Sequence, residues 1–340
     1  MPFRDLVGHR HLLELVAGAV RRESLPPSLI FAGPDGVGKR AAAVALAQLV
    51  NCANPVDHDA CGTCASCTRI ARFVHADVFL VEPGDTGVIK VDQVRDVIER
   101  TAYRPFEGRR RVVIVDEADA LLSEAQNALL KTLEEPPAAS MFVLVTARPD
   151  ELLPTVRSRC QRLRFGRLSP GDIAAVLMER HDYSPTDAHA AASAADGSLG
   201  LALDGGSAAL VEAREAAAEM LQQVAGTSDP RRRIDSAKLL SGGGDRDEVR
   251  RRLRALASMV RDLGVIGAEV QRAPSAERRT PISDDRHLAN ADMGVPLRRL
   301  AGSFDRERVS RAFAAIDRAL EAIDRNASPK IVADWLAFQL

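Results

Sequence analysis

The sequence predicts an α/β domain built on a mainly parallel sheet and followed by all-helical units. Short β-rich runs alternate with longer helical patterns up to about residue 166, the strand signal then stops, and the rest of the chain carries apolar seams at helical spacing. Residues 28–32, 77–81, 111–116, 141–146 and 161–165 read as strands, and several are apolar throughout, as expected of strands covered on both faces. Between them, 39–50, 92–103 and 120–134 read as helices, the last stopped by Pro136-Pro137. Such alternation implies right-handed crossovers between parallel strands.

The first unit is expected at 1–166, a small Ala-rich helical unit at 167–206 and a larger helical unit at 207–340. In the last, Val249, Leu253, Leu256, Val260 and Leu263 are spaced 4-3-4-3 on a highly charged segment, and Val309, Phe313, Ile316, Leu320 and Ile323 repeat that spacing. Each is an apolar seam made to pack against other helices. Residues 271–295 carry Pro, Ser, Arg and Asp without periodicity and are expected to form an exposed loop.

Of the 340 residues, 46% are apolar and 27% charged, which suits a folded chain with a sizeable core, and a net charge of −1 excludes a global basic field. Contact with nucleic acid would need a local patch. Arg104, Arg109, Arg110 and Arg111 form one, although a solvated loop before a strand accounts for them. The first residues lack the apolar stretch of a secretory signal, and no run approaches the roughly 20 apolar residues that span a bilayer. A cytoplasmic protein without membrane contact is expected.

Gly33-Pro34-Asp35-Gly36-Val37-Gly38-Lys39-Arg40 follows an apolar strand and opens a helix, the setting in which a Gly-rich P-loop cradles phosphates. Gly33, Gly36 and Gly38 let backbone N–H groups converge on anionic oxygens, and Lys39 would reach the terminal phosphates. The next position departs from the pattern. A Ser or Thr there supplies an oxygen to Mg²⁺, whereas the Arg40 guanidinium has no lone pair and is always charged. Nucleotide binding is expected to persist while Mg²⁺-dependent hydrolysis is lost or severely weakened. Downstream, Asp116 and Glu117 end the run Val112–Val115, where P-loop ATPases hold Mg²⁺ and orient water.

Five cysteines without a signal argue for metal or isolated thiols rather than disulfides. Cys52, Cys61, Cys64 and Cys67 lie within sixteen residues; four thiolates close a tetrahedral site and suit a structural Zn²⁺ with no open position. The spacing does not match ferredoxin iron–sulfur runs. His58 lies inside the loop as a bystander, and Cys160 reads as a small buried hydrophobe.

Together with the run Asn127-Ala128-Leu129-Leu130-Lys131-Thr132-Leu133-Glu134-Glu135-Pro136-Pro137 and with Ser158-Arg159-Cys160, these motifs resemble the AAA+ subunits of bacterial DNA polymerase III clamp loaders. The likeness covers about residues 3–205, and the helical remainder, ending Asn326-Ala327-Ser328-Pro329-Lys330, is similar to the family's collar. The resemblance implies an AAA+ domain with a Cys₄ zinc insertion, a helical lid and a helical collar. It implies gamma/tau and delta partners in a hetero-oligomeric, pentameric loader, and a sliding clamp and primed DNA reached through that complex. Such a chain is a subunit of a DNA-directed DNA polymerase holoenzyme. Arg159 takes the place of an arginine finger acting on a neighbour's ATP. The lid segment Gly197-Ser198-Leu199-Gly200 carries Gly200 where hydrolysing members carry a sensor arginine. With Arg40, this second loss favours a branch that does not hydrolyse ATP efficiently but completes a neighbour's site over the hydrolysing gamma/tau branch.

Overall fold

The computed structural model describes residues 1–204, 206–227, 229–272, 288–290 and 293–340. The chain forms two compact units, Met1–Leu168 and Ser169–Leu340. The expected loop at 271–295 lies for its greater part outside the described residues.

In the first unit five strands, β1 (Ser28–Ala32), β2 (Val78–Val81), β3 (Arg111–Val115), β4 (Ser140–Thr146) and β5 (Gln161–Arg164), form one parallel sheet in the order β2-β3-β4-β1-β5. Helices α1 (Arg10–Arg21), α2 (Lys39–Asn51), α3 (Ala65–Ala71), α4 (Val91–Thr101), α5 (Ser123–Glu134) and α6 (Pro154–Arg157) connect and flank the strands. Strands β1, β3 and β4 are buried along their whole length because two separate apolar clusters cover the sheet's two faces. Alternate residues divide between them: Leu29 and Phe31 join α2 residues Ala43 and Leu46, while Ile30 and Ala32 join Leu129 and Leu133 of α5. That period-two division is why the strands read as continuously apolar. The edge strand β5 is largely exposed. The helix expected at 120–134 begins only at Ser123, since a short 3-10 turn at Ala118–Ala120 and extended Leu121 intervene.

Arg111 corrects the expectation of a solvated basic loop. It opens β3 and is buried, with its Nε 3.2 Å from Asp77 Oδ1. Asp77 is fully buried and accepts the N–H groups of Phe106, Glu107 and Gly108 at 2.7–2.8 Å, while Asn51 Oδ1 accepts those of Arg109 and Arg110. Two buried side chains therefore hold the backbone of the basic loop, and of its arginines Arg104 and Arg109 are exposed and Arg110 is half-buried.

The second unit is entirely helical among its described residues: α7 (Pro170–His181), α8 (Pro185–Ala194), α9 (Leu199–Asp204), α10 (Gly206–Ala225), α11 (Pro230–Ser241), α12 (Arg246–Arg272), α13 (Gly294–Ala301), α14 (Arg306–Asp324) and α15 (Pro329–Gln339). The seam Val249, Leu253, Leu256, Val260 and Leu263 is fully buried along α12. On α14 the seam is displaced. Ile316 and Ile323 are buried but Phe313 is 42% exposed, because the packed stripe runs through the small residues Ala312, Ala315 and Ala319. Close helix approach favours alanine there and leaves the larger ring outside.

Burial alone would raise the Asp77 carboxyl, but the N–H groups of Glu107, Gly108 and Phe106 and the Arg111 guanidinium more than offset it and hold it below the usual range. A depressed folded pKa contributes stability that is fully present above the unfolded value and is lost as pH falls from there through the folded one. Asp77→Ala is expected to cost about 3–5 kcal/mol, because it strands Arg111 and three N–H groups. In urea titrations, the gap between wild type and variant should narrow as pH drops below about 4.

Candidate phosphate cleft and cysteine cage

Parallel strands present all their carboxyl ends at one edge, and in open α/β sheets ligands bind in the crevice outside those ends. Here β1 ends in the Gly33–Arg40 loop, β2 in Glu82, β3 in Asp116 and Glu117, and β4 in Thr146. Two glycines are required by geometry. A Cβ on Gly33 would meet the Phe165 carbonyl oxygen at 2.2 Å, and Gly38 holds φ +95° as the cap of α2. The loop thus aims the first turn of α2 at the cleft.

Lys39 is 6% exposed and its Nζ donates to the carbonyls of Gly33 at 2.7 Å and Pro34 at 2.6 Å. Burial lowers its pKa, against the attraction of Asp35, Asp116 and Asp119. Arg40 bridges two carboxylates. Its Nη1 lies 3.2 Å from Asp116 Oδ2 and also donates to Glu82 Oε1, and its guanidinium carbon sits 5.3 Å from the centre of the Phe73 ring. Burial pushes the Asp116 carboxyl above its usual range, with Arg40 opposing. Glu117 is raised by burial and then by Asp116, Asp119, Asp35 and Glu82, which marks a dense acidic edge. Asp119 is held low despite its burial by hydrogen bonds from Thr146 Oγ1 at 2.6 Å and from Arg148.

Gly33, Gly36, Gly38, Lys39, Arg40, Asp116 and Glu117 therefore share one edge of the sheet. A divalent cation does not fit the donor set found there. The position of a ligating hydroxyl carries a permanent cation, and that cation occupies the carboxylates a metal would need. The sequence reading missed Glu82. Its signal was present, an acid directly after an apolar strand as at Asp116, but strand-end acids are common and this one gains meaning only from the register of β2 on β3.

Arg159 lies elsewhere. It precedes β5, which runs parallel to β1 with Gln161 opposite Leu29, so it sits at the amino edge of the sheet. About 15 Å of strand separates that edge from the phosphate loop, beyond the reach of an arginine side chain. Its guanidinium donates from Nε and Nη2 to Glu134 Oε2 at 3.0 and 2.9 Å and from Nη1 to the Thr155 carbonyl. Glu134 is the second residue whose contact no spacing announced.

Between α2 and α3, the sulfurs of Cys52, Cys61, Cys64 and Cys67 lie within 4.8 Å of one another and could hold a metal ion. Cys61 Sγ and Cys67 Sγ are 4.0 Å apart, close to the roughly 3.8 Å edge that Zn–S bonds of about 2.3 Å give a tetrahedron. Backbone N–H groups point at the sulfurs, Cys61 N to Cys52 Sγ at 3.2 Å and Cys64 N to Cys61 Sγ at 3.3 Å. Those of Cys64 and Thr63 bring the Cys61 thiol down to about 6, whereas burial raises Cys52 and Cys67. The donor set and spacing fit zinc. His58 is exposed and stands outside the group. Cys160 is buried, and burial pushes its thiol up to about 12, as for a packing residue.

Residues 8–169 match the family model described as DNA polymerase III, delta subunit. The tau subunit of Bacillus subtilis is 35% identical over 203 residues, covering 58% of this chain and 36% of that protein. The delta' subunit of Pseudomonas aeruginosa is 42% identical over 129 residues, covering 38% and 39% respectively. The chain thus spans between 25% and 39% of the length of these and the other similar relatives. A gamma-subunit-related protein of Thermotoga maritima aligns over 96% of this chain and 97% of its own, with 17% identity and a TM-score of 0.43. Over its first half the chain is similar to subunits of DNA polymerase III, with tau and delta' relatives matching comparably.

The cage predicts one tightly held zinc ion per purified chain. Metal analysis should read about one equivalent for wild type and well under half for Cys61→Ser, with a lower melting temperature for the variant. A metal-free wild type of unchanged stability would contradict it.

Proposed function

We propose that this chain is the delta-prime-type subunit of a DNA polymerase III clamp loader, supporting ATP-driven loading of a sliding clamp onto primed DNA during replication. In this reading it assembles with gamma/tau and delta subunits in a pentamer, residues 167–206 act as the lid and 207–340 as the collar. The observation that carries it is the opposition of two edges of one sheet. The phosphate cleft holds Arg40 where a hydrolytic site needs a metal-binding hydroxyl, while Arg159 stands at the other edge, unable to reach its own chain's cleft. A guanidinium so placed can act on phosphate only in another subunit. There it would neutralise charge building on the transferred phosphoryl group. Zinc is structural in this scheme, holding the segment 52–67, and ATP is bound in the cleft without efficient turnover.

The second reading is a hydrolysing gamma/tau-type subunit, favoured by the greater length of the tau match. ATP turnover by the purified chain separates the two. Rates of several per second would establish the second reading and remove the first.

Arg159→Ala in the reconstituted loader should lower DNA-stimulated ATP turnover at the neighbouring site by up to about 10³-fold. Gel filtration should show unchanged assembly, since Arg159 makes only surface contacts in its own chain. Wild-type turnover in the variant complex would remove the finger assignment.

A further inference from the structure

We propose that Arg40 is a resident counter-cation that excludes divalent metal from the phosphate cleft, so that the cleft takes a nucleoside triphosphate in its metal-free form. The inference rests on the phosphate-cleft part of the reading above and is independent of assembly.

The register of the sheet creates the need for a cation. Val81 pairs with Val115 on adjacent parallel strands, and Asp116 N donates to Val81 O, so the next residues, Glu82 and Asp116, emerge side by side. Two neighbouring carboxylates at a partly buried edge repel one another unless a positive charge stands between them. In a hydrolytic P-loop site a metal ion supplies that charge. Here Arg40 Nη1 supplies it, donating to Asp116 Oδ2 and Glu82 Oε1 at once.

The guanidinium, 43% exposed, also has contacts beyond the two carboxylates. It stands on the first turn of α2, so the helix sets its direction, and the Phe73 ring lies against it. A metal entering here would have to displace a cation that can never be deprotonated, and would leave that cation without its partners.

The cradle for phosphate is not consumed by this arrangement. Lys39 uses two of its three N–H donors on the carbonyls of Gly33 and Pro34, the loop keeps the glycine conformations that open its backbone, and the amino end of α2 faces the same space. The cleft therefore offers Lys39, Arg40 and a helix terminus to a polyanion, at an edge that also carries Asp35, Glu82, Asp116, Glu117 and Asp119. The magnesium complex of ATP would set its metal against the Arg40 guanidinium, whereas metal-free ATP brings no competing cation. Magnesium should then act only as a competitor, by sequestering ATP in solution. That sign is the reverse of an ordinary P-loop site.

The test is titration of the full-length isolated chain with a fluorescent ATP analogue, in EDTA and again in excess Mg²⁺, beside electron paramagnetic resonance of Mn²⁺ added with ATP. Wild type should bind about tenfold more tightly in EDTA and immobilise no manganese. Arg40→Thr should invert the preference and bind manganese with ATP, whereas Arg40→Lys, which keeps a cation, should retain the wild-type sign. Circular dichroism establishes that each variant is folded. Tighter wild-type binding with Mg²⁺, immobilised manganese in wild type, no ATP binding by wild type in either medium, or a folded Arg40→Thr without inversion would each overturn the proposal. Co-purification with other loader subunits is scored separately. Its failure strikes the assembly reading and leaves the metal result standing.

Discussion

The constraint on which the first unit depends is that all five strands run the same way. A parallel sheet has two chemically different edges. At the carboxyl edge, chain reversals leave loops, helix amino termini and acidic residues together; at the amino edge they leave arriving segments such as Ser158–Cys160. Nothing in local sequence imposes this separation. It follows from direction, and direction follows from burying β1, β3 and β4 between two helical layers that only long crossover connections can supply. Separation of the cleft from Arg159 is thus a property of topology and not of either motif.

Within the cleft, both cations are held by groups of the same chain. Lys39 donates to loop carbonyls and Arg40 to Asp116 and Glu82, so the position of each cation is set by groups that are part of the chain. A site of this kind is folded before any ligand arrives. It contrasts with sites that a metal ion must complete.

Much of this was legible in the sequence, for reasons that differ residue by residue. Strands β1, β3 and β4 were visible because burial on both faces leaves few polar positions to confuse the pattern, and the cysteine cage because four soft ligands in sixteen residues have few other uses. Arg40 was visible as a departure from a strict spacing. Its partners were not, since Glu82 and Asp116 are thirty-four positions apart and become neighbours only through the pairing of Val81 with Val115. Arg111 was misread because one of four consecutive-looking arginines faces inward, and only the buried Asp77 reveals which. Phe313 was misread because a helical seam of large residues and one of alanines a single position away have the same period.

Helix α2 joins the two chemical features of the unit. Its first residue is Lys39, and its last, Asn51, is followed at once by Cys52. Thirteen residues make a rod of about 20 Å. Gln48, near its far end, donates to the Cys67 carbonyl at 2.7 Å, and Asn51 holds Arg109 and Arg110. The same rod is therefore moored at one end by sulfur and aimed at phosphate by the other. Thiol oxidation is ordinarily regarded as local damage. In this chain it would slacken the mooring and blur the aim of two charged side chains a full helix length away.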